Sequence, residues 1–227
     1  MALVLRNFGF YLAFYLGSVV YVLGALLALP FSARHFRHFS EGWSAYHARC
    51  ARVFLGIEVR IEGEMPSGAV LFACKHESFF EAINLPHLLN HPGVFAKAEL
   101  LRIPLWGLVG ARFGLIGVER DQGAKALRSM VAAARQISDA GRPLAIFPEG
   151  TRVAHGVNAP LQSGFAGLYR LIGLPVVPVA TNSGVLYHRR LKRSGVIVIR
   201  FGAVIPVGLT RDAIEARVRA EINGLGG

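Results

Sequence analysis

Apolar residues dominate the beginning of the chain. No charged residue lies between Arg6 and Arg34, and residues 8–31 are almost wholly apolar. About 20 such residues are enough for a helix to cross a bilayer. The run is longer than the apolar part of a signal peptide, and no small-residue cleavage site follows it. The pattern therefore predicts a membrane-associated helical segment, which spans the bilayer, lies in one leaflet or forms a helical hairpin.

Basic residues follow this apolar run, and they predict an orientation. Arg34 and Arg37 come directly after it, and Arg49 and Arg52 lie further along. Because positive charge collects on the cytoplasmic side of membrane segments, we expect the remainder of the chain in the cytoplasm.

Residues 40–55 show a different, amphipathic pattern. Trp43, Tyr46, Cys50 and Phe54 recur at helical spacing, with basic residues between them. The apolar face suits either a folded domain or lipid, and the pattern does not choose between them. We place a domain boundary near Gly56, with anchoring helices in residues 1–56 and a second domain in residues 57–227.

From residue 57 onward, short apolar strands alternate with helical patterns. The predicted strands are residues 57–62, 69–74, 93–96, 115–118, 143–147, 176–180 and 196–201. The predicted helices are residues 79–89, 123–140, 164–172 and 211–222. This alternation predicts an α/β domain with a mixed, largely parallel central sheet flanked by helices.

Composition narrows the environment of the protein. Of the 227 residues, 53% are hydrophobic and 17% are charged, and the net charge is +11. A basic excess suits an anionic partner, and its combination with high apolar content favours a membrane. The basic residues are scattered, without interleaved aromatic residues on one face, so we expect no nucleic-acid partner. The two cysteines form no motif and are expected to be reduced core thiols.

Residues 73–81 carry the first candidate chemistry, at the point where a predicted strand leads into a helix. His76 would lie on the turn and Glu81 in the first helical turn, where the carboxylate could orient the imidazole as a general base. Ser78 and Glu81 also match a capping box, which would explain Glu81 without any chemistry. The local pattern leaves both interpretations open.

Residues 145–152 form the second candidate stretch. An apolar strand ends in a Pro-Glu-Gly turn that would expose Glu149, Thr151 and Arg152 beyond the carboxyl end of the sheet, where ligands bind in α/β proteins. Gly150 would allow close approach of a ligand, although a solvated surface turn explains the stretch equally well. Arg120 and Lys97 follow two further strands and are candidate phosphate ligands.

Four segments, in this order, resemble the blocks of the glycerolipid acyltransferase family: His76-x4-Glu81, residues 114–120, the Phe-Pro-Glu-Gly-Thr-Arg sequence at 147–152, and residues 177–179. The likeness covers roughly residues 60–205 and is closest to bacterial 1-acyl-sn-glycerol-3-phosphate acyltransferases. An apolar N-terminal segment also fits this family.

The resemblance implies a membrane-associated O-acyltransferase at the bacterial inner membrane, with its catalytic domain facing the cytoplasm. His76 would take the proton from the acceptor hydroxyl, and Glu81 would orient His76. Substrate binding is implied for Arg120, Glu149, Gly150, Thr151, Arg152 and Lys97. Residues 177–179 would border an acyl channel. The co-substrate would be a coenzyme A or acyl carrier protein thioester and the acceptor lysophosphatidic acid, with no metal and no other cofactor.

The chain also departs from the family pattern, and other functions remain to be considered. Glu81 stands where aspartate is usual, and residues 161–164 lack the lysine of many members. Another lysophospholipid or a lyso-ornithine lipid is an alternative acceptor. A remote alternative function is that of a non-catalytic protein that binds anionic lipid. A hydrolase has less support, because the sequence has no Gly-x-Ser-x-Gly elbow, and the His-Glu-x-x-His zinc pattern is absent.

Overall fold

A seven-stranded sheet forms the centre of the computed structural model, which describes residues 1–119 and 123–226. The strands are β1 (Ile57–Glu62), β2 (Leu71–Cys74), β3 (Gly93–Lys97), β4 (Leu115–Val118), β5 (Leu144–Ile146), β6 (Val176–Thr181) and β7 (Gly195–Phe201). They lie in the order β1-β7-β6-β2-β5-β3-β4. Every pair of neighbours is parallel except β6 and β7. The predicted mixed, largely parallel sheet is confirmed.

Eight α-helices surround the sheet in the described part of the chain. They are α1 (Ala2–Ala28), α2 (Ala33–Cys50), α3 (Phe79–Leu88), α4 (Trp106–Phe113), α5 (Gly123–Asp139), α6 (Phe165–Ile172), α7 (Ser183–Tyr187) and α8 (Arg211–Ile222). A π-helical turn, Ala51–Leu55, extends α2, and a 3-10 turn, Ala98–Arg102, follows β3. Each strand and helix predicted beyond residue 57 is present, whereas α4, α7 and the 3-10 turn were not predicted.

The sheet direction gathers several loops at one edge. β2, β3, β4, β5 and β6 run the same way, so their carboxyl ends lie together. β2 and β6 are buried at every position, as expected for central strands covered on both faces. The segments that follow these strands carry the candidate residues of the sequence.

Two hydrophobic clusters divide the core between the faces of the sheet. One contains Phe72 and Ile197 together with Phe10 and Phe14 of α1. The other contains Leu71 and residues of α5, α6 and α8. The inner face of the N-terminal segment is therefore continuous with the core over the sheet, and the domain boundary near Gly56 stays a prediction.

α1 and α2 form a closely packed helical hairpin. The Tyr46 hydroxyl donates to the carbonyl of Ala13 at 2.8 Å, and the Trp43 indole donates to the Ser18 hydroxyl at 2.8 Å. Gly17 permits this approach, because a Cβ there would clash with the Tyr46 ring. The amphipathic helix predicted at residues 40–55 thus packs its apolar face on protein, and it begins earlier, at Ala33.

A buried histidine joins α2 to α3 and α7. The ring of His47 is fully buried, with Nε2 2.8 Å from the Tyr187 hydroxyl and Nδ1 3.1 Å from the Asn84 amide nitrogen. An amide nitrogen only donates, so Nδ1 accepts and Nε2 donates to Tyr187. The pKa of His47 is lowered from 6.5 to about 3, mainly by burial and to a smaller extent by the charge of Lys192, while the hydrogen bond with Asn84 opposes the shift. His47 is therefore neutral in the folded protein at neutral pH.

We expect the buried His47 to make folding stability depend on pH. Below pH 6.5 the unfolded chain binds a proton that the folded chain does not bind until about pH 3, so stability falls as pH drops through this window. The loss from this residue is about 3 kcal/mol between pH 7 and pH 4. In detergent, the melting temperature of His47→Gln should fall less steeply over this range than that of the wild type.

Part of the slope should remain in the variant, because burial also lowers the pKa of His91 to about 4. Parallel melting curves for wild type and His47→Gln between pH 7 and pH 4 would contradict the buried, neutral state of His47.

Candidate active site

His76 and Glu81 meet at the carboxyl edge of the sheet. β2 ends at Cys74, Ser78 caps α3, and His76 lies on the turn between them. His76 Nδ1 lies 3.0 Å from Glu81 Oε1, and the two side chains are 16% and 5% exposed. A carboxylate only accepts, so Nδ1 donates, and in the neutral imidazole Nε2 then carries the lone pair. The ring stacks on Phe147, with centroids 4.1 Å apart.

The capping box is present as well, so the two interpretations of Glu81 hold together. Glu81 Oε1 accepts from the backbone N–H groups of Glu77 and Ser78 at 2.6 and 2.7 Å, and the Ser78 hydroxyl accepts from the backbone N–H of Phe80. The carboxylate that caps the helix is the one that orients the imidazole.

A buried ion pair supports the turn from behind. Lys75 Nζ lies 2.6 Å from Glu149 Oε1, with side-chain exposures of 2% and 0%. The ammonium also donates to the carbonyl of Val157 and to the Asn223 side chain, and Glu149 Oε2 accepts from the backbone N–H of His76. Lys75 was not singled out in the sequence. A charged residue directly after an apolar strand was the available signal for its role. Its partners lie far away along the chain, so the local sequence does not reveal them.

This geometry changes the expectation for Glu149. The sequence placed it among the substrate-binding residues, whereas its carboxylate points inward, and Glu149 does not line the neighbouring cavity. Glu149 instead contacts Lys75 and the backbone N–H of His76. Burial had no signal in the local sequence, which suits an exposed turn equally well.

The other predicted residues of this turn do border the cavity. Gly150, Thr151 and Arg152 contribute to its wall. Gly150 has a φ of 69°, in the left-handed region that glycine adopts readily, and its N–H donates to the carbonyl of Phe147 at 2.9 Å. The exposed guanidinium of Arg152 lies 4.1 Å from the centre of the Phe79 ring.

Of the two candidate phosphate ligands that follow strands, the structure describes Lys97 but not Arg120. Lys97 ends β3, is exposed and lines the cavity. Arg120 lies outside the described residues. Its neighbour Glu119 lines the cavity and pairs with Arg102 at 3.5 Å.

The cavity has a volume of about 840 Å³ and combines a polar part with a much larger apolar part. His76 and the residues at the strand ends form the polar part. Helices contribute most of the remainder: Tyr21, Val22, Ala25, Phe39, Trp43, Phe79, Ile83, Trp106, Val109 and Phe113. The sequence did not predict that α1, α2 and α4 share this wall.

Residues 177–179, which the resemblance places beside an acyl channel, do not border this cavity. These residues lie in β6, are buried in the middle of the sheet, and do not contribute to the cavity wall. As a continuous apolar run, they are explained by the interior of a parallel sheet.

A second histidine–carboxylate pair lies next to the first. His155 Nδ1 is 2.9 Å from Glu77 Oε1, and Glu77 Oε2 accepts from the N–H of Gly184 at 2.8 Å. Burial raises the pKa of Glu77, and its hydrogen bonds with Gly184 and His155 oppose the rise. Neither residue lines the cavity, so this pair supports the turn and leaves His76 as the histidine in the cavity wall.

The described residues contain no cluster of three or more histidine, cysteine, aspartate or glutamate side chains arranged to hold a metal ion. That the reaction needs no metal stays a prediction.

Comparisons with known proteins agree with the geometry. A family model described as "Acyltransferase" matches residues 56–182. A 1-acyl-sn-glycerol-3-phosphate acyltransferase of Pseudomonas aeruginosa is 30% identical over 215 residues, covering 93% of this chain and 81% of that protein. One from Cocos nucifera is 26% identical over 189 residues, covering 82% of this chain and 61% of that protein.

The fold has a counterpart among solved structures. The crystal structure of the 1-acyl-sn-glycerophosphate (LPA) acyltransferase PlsC from Thermotoga maritima superimposes with a TM-score of 0.77 at 18% identity, covering 99% of this chain and 95% of the other. Since the family model covers more than half of the sequence and a relative matches nearly all of it, the chain belongs to the acyltransferase family.

Proposed function

We propose that the protein transfers a fatty acyl group from a coenzyme A or acyl carrier protein thioester to the sn-2 hydroxyl of 1-acyl-glycerol-3-phosphate, giving phosphatidic acid. The observation that carries the proposal is the His76–Glu81 pair, 3.0 Å apart, in the wall of a largely apolar cavity. The names of the relatives supply the acceptor.

The geometry supports a direct transfer. The lone pair on His76 Nε2 takes the proton of the acceptor hydroxyl while its oxygen attacks the thioester carbonyl. The new C–O bond forms, the C–S bond breaks, and the departing thiolate takes the proton from the imidazolium. Glu81 stabilises that imidazolium and keeps the tautomer correct. No covalent acyl-enzyme is needed.

Positive charge near the strand ends suits the phosphate of the acceptor. Lys97 and Arg152 are exposed and contribute to the cavity wall. A guanidinium binds phosphate oxygens bidentately, and the Phe79 ring beneath Arg152 orients it. Arg120, implied by the family resemblance, is proposed as a further phosphate ligand. Thr151 and Gly150 would supply a hydroxyl and a close backbone approach.

Replacing the proposed base should remove the activity. We expect His76→Ala to reduce turnover by at least about 100-fold, the usual contribution of a general base. The measurement is phosphatidic acid formed from lysophosphatidic acid and an acyl thioester by detergent-purified protein. Glu81→Gln should also be impaired, because an amide does not stabilise the imidazolium.

The matched control is His155→Ala, which removes the histidine of the other pair at nearly the same distance from its carboxylate. It should keep turnover within about tenfold of the wild type. Equal losses in His155→Ala and His76→Ala would contradict the assignment. Acylation of lyso-ornithine lipid or another lysophospholipid, without lysophosphatidic acid, would keep the mechanism and change the acceptor.

The apolar wall of the cavity suits a fatty acyl chain. Val22 of α1 lines the cavity, whereas Val20 is 66% exposed on another face of the same helix. Val22→Trp should therefore fill space that a long chain needs. We expect its kcat/KM for long-chain thioesters to fall about tenfold relative to short-chain thioesters, since one buried methylene discriminates at about this level.

Val20→Trp is the control, because it adds the same side chain outside the cavity. Assays with thioesters of increasing chain length distinguish the two variants. An unchanged chain-length profile in Val22→Trp would argue against the cavity as the acyl site.

We further propose that α1 lies in one leaflet of the membrane, at the cytoplasmic face. α1 is long and apolar enough to cross a bilayer, yet only 17% of its most apolar 18-residue window is buried in the protein. Its outer face exposes Phe8, Leu12, Leu16 and Leu23. Its inner face packs along α2, whose exposed residues include Arg34, His38 and Arg49. The charges of the two arginines favour an interfacial position over a span.

A basic loop, residues 188–193, supports the same placement. The Tyr11 hydroxyl donates to the Arg190 carbonyl at 2.7 Å, and Asn7 exchanges two hydrogen bonds with the backbone of Lys192. The loop is thus fixed against α1, with the side chains of Arg189, Arg190 and Arg193 exposed. No described carboxylate pairs with these three arginines. They would meet anionic headgroups.

Removing this charge should weaken binding to anionic vesicles. We expect the triple variant Arg189→Ala/Arg190→Ala/Arg193→Ala to bind vesicles of phosphatidylcholine with 20 mol% phosphatidylglycerol about 100-fold less tightly than the wild type, at roughly 1 kcal/mol per arginine. Flotation at increasing lipid concentration measures the difference.

The matched control is Arg128→Ala/Arg170→Ala/Arg217→Ala, which changes net charge equally but lies on α5, α6 and α8, across the sheet. Equal weakening by the two triple variants, or equal binding of the wild type to pure phosphatidylcholine, would contradict the proposed orientation.

A further inference from the structure

The second oxygen of the Glu81 carboxylate makes contacts that neither the capping box nor the histidine explains. Oε1 is shared between His76 and the turn, whereas Oε2 points into the interior. There it accepts from the Ser183 hydroxyl at 2.5 Å and from the Ser78 hydroxyl at 3.0 Å. The two hydroxyl oxygens are 2.8 Å apart. Ser78 is already the N-cap of α3, so Ser183 is the contact without a local structural reason.

Ser183 reaches this carboxylate because of the sheet order. β6 is the parallel neighbour of β2, with Val179 in register with Cys74. His76 follows β2 and Ser183 follows β6, so both arrive at the same edge of the sheet. Ser183 is fully buried, and its N–H is held by the Thr181 hydroxyl at 3.2 Å. A buried hydroxyl fixed in this way loses little freedom on bonding the carboxylate.

We propose that Ser183 is a positioning residue for the acyl transfer, whose hydroxyl holds Glu81 Oε2 so that Oε1 stays aligned with the imidazole of His76. The inference rests on the proposed function of the His76–Glu81 pair. A glutamate side chain has one more torsion than an aspartate side chain, and the two hydroxyl donors at Oε2 fix it.

The hydrogen bond from Ser183 to Glu81 also affects how readily the His76–Glu81 pair takes up a proton. A hydroxyl donor stabilises the negative carboxylate, and it contributes more when the surroundings are buried. Without it, the negative pair is less stable and takes up its first proton at a higher pH. His76 is active as a base only before that proton binds, so the acidic limb of the pH–rate profile should move to higher pH.

Other titratable groups surround the pair. On the turns and helices packed against it they are Cys74, Lys75, Glu77, Glu149, His155, Tyr187 and His188. None is changed by a substitution at residue 183, so a shift of the profile in such a variant reports the lost hydroxyl.

The test compares Ser183→Ala with Ser183→Thr, which keeps the hydroxyl. We expect Ser183→Ala to lower kcat about tenfold, to leave KM for both substrates within twofold, and to move the acidic limb upward by about half a pH unit or more. Ser183→Thr packs an extra methyl group and should be less stable, but it should keep the wild-type pH profile.

The matched control is Ser44→Ala. Ser44 is equally buried and donates one hydrogen bond to α3, at the carbonyl of Ile83, 2.7 Å away, but does not touch the pair. It should lower the melting temperature without moving the profile. A wild-type profile in Ser183→Ala, or the same shift in Ser44→Ala or Ser183→Thr, would overturn the proposal.

A second readout does not depend on turnover. Titration of ¹⁵N-labelled histidine by NMR follows His76 directly, with His76→Ala identifying its signal. We expect the signal to titrate at higher pH in Ser183→Ala than in the wild type. If the wild type acylates no lysolipid, the proposed function fails, and this titration still decides whether Ser183 controls the pair. Unchanged titration contradicts the inference alone.

Discussion

The carboxylate of Glu81 is the constraint on which the site depends. A helix that starts directly after a buried strand has unpaired N–H groups, and these must be satisfied where water is excluded. Glu81 accepts two N–H groups of the turn with the same oxygen that faces His76. Formation of the strand–helix connection therefore also fixes the orientation of the His76 imidazole. Capping and orientation of the base are one arrangement, and a change in either alters the other.

The Lys75–Glu149 ion pair extends this arrangement to the neighbouring loop. A buried ion pair gives little net stability, because desolvation offsets most of the Coulomb attraction. Its value here is positional: Glu149 also accepts the N–H of His76, and Lys75 reaches Asn223 at the end of α8. The two motif loops and the C-terminal helix are thus fixed to each other at the peptide of the proposed base.

Sequence reasoning succeeds here where the signal is local. The alternation of short apolar runs with helical patterns predicted the strands. The capping box and the His-x4-Glu pair are both found at the predicted turn. It fails where a partner is distant: Asn223 lies 148 positions from Lys75, and Ser183 lies 102 from Glu81.

The short helix α4 was not predicted because Pro104, Gly107 and Gly110 interrupt the helical pattern, although Gly107 and Gly110 are buried in it. Buried and exposed turns also look alike locally, which is why Glu149 was expected to face a substrate.

The two faces of α1 suggest why the first helix stays packed on the rest of the protein. Tyr21, Val22 and Ala25 line the cavity, while the opposite face of the same helix is apolar and exposed. Transferring each methylene of an acyl chain through water costs about 0.8 kcal/mol, so a long chain crossing an aqueous gap would meet a large barrier. With α1 in the leaflet, as proposed, one helix separates lipid from cavity, and a chain passes around it from one apolar environment to the other. A spanning helix, separated from α2 and α4, would remove both the cavity wall and this short path.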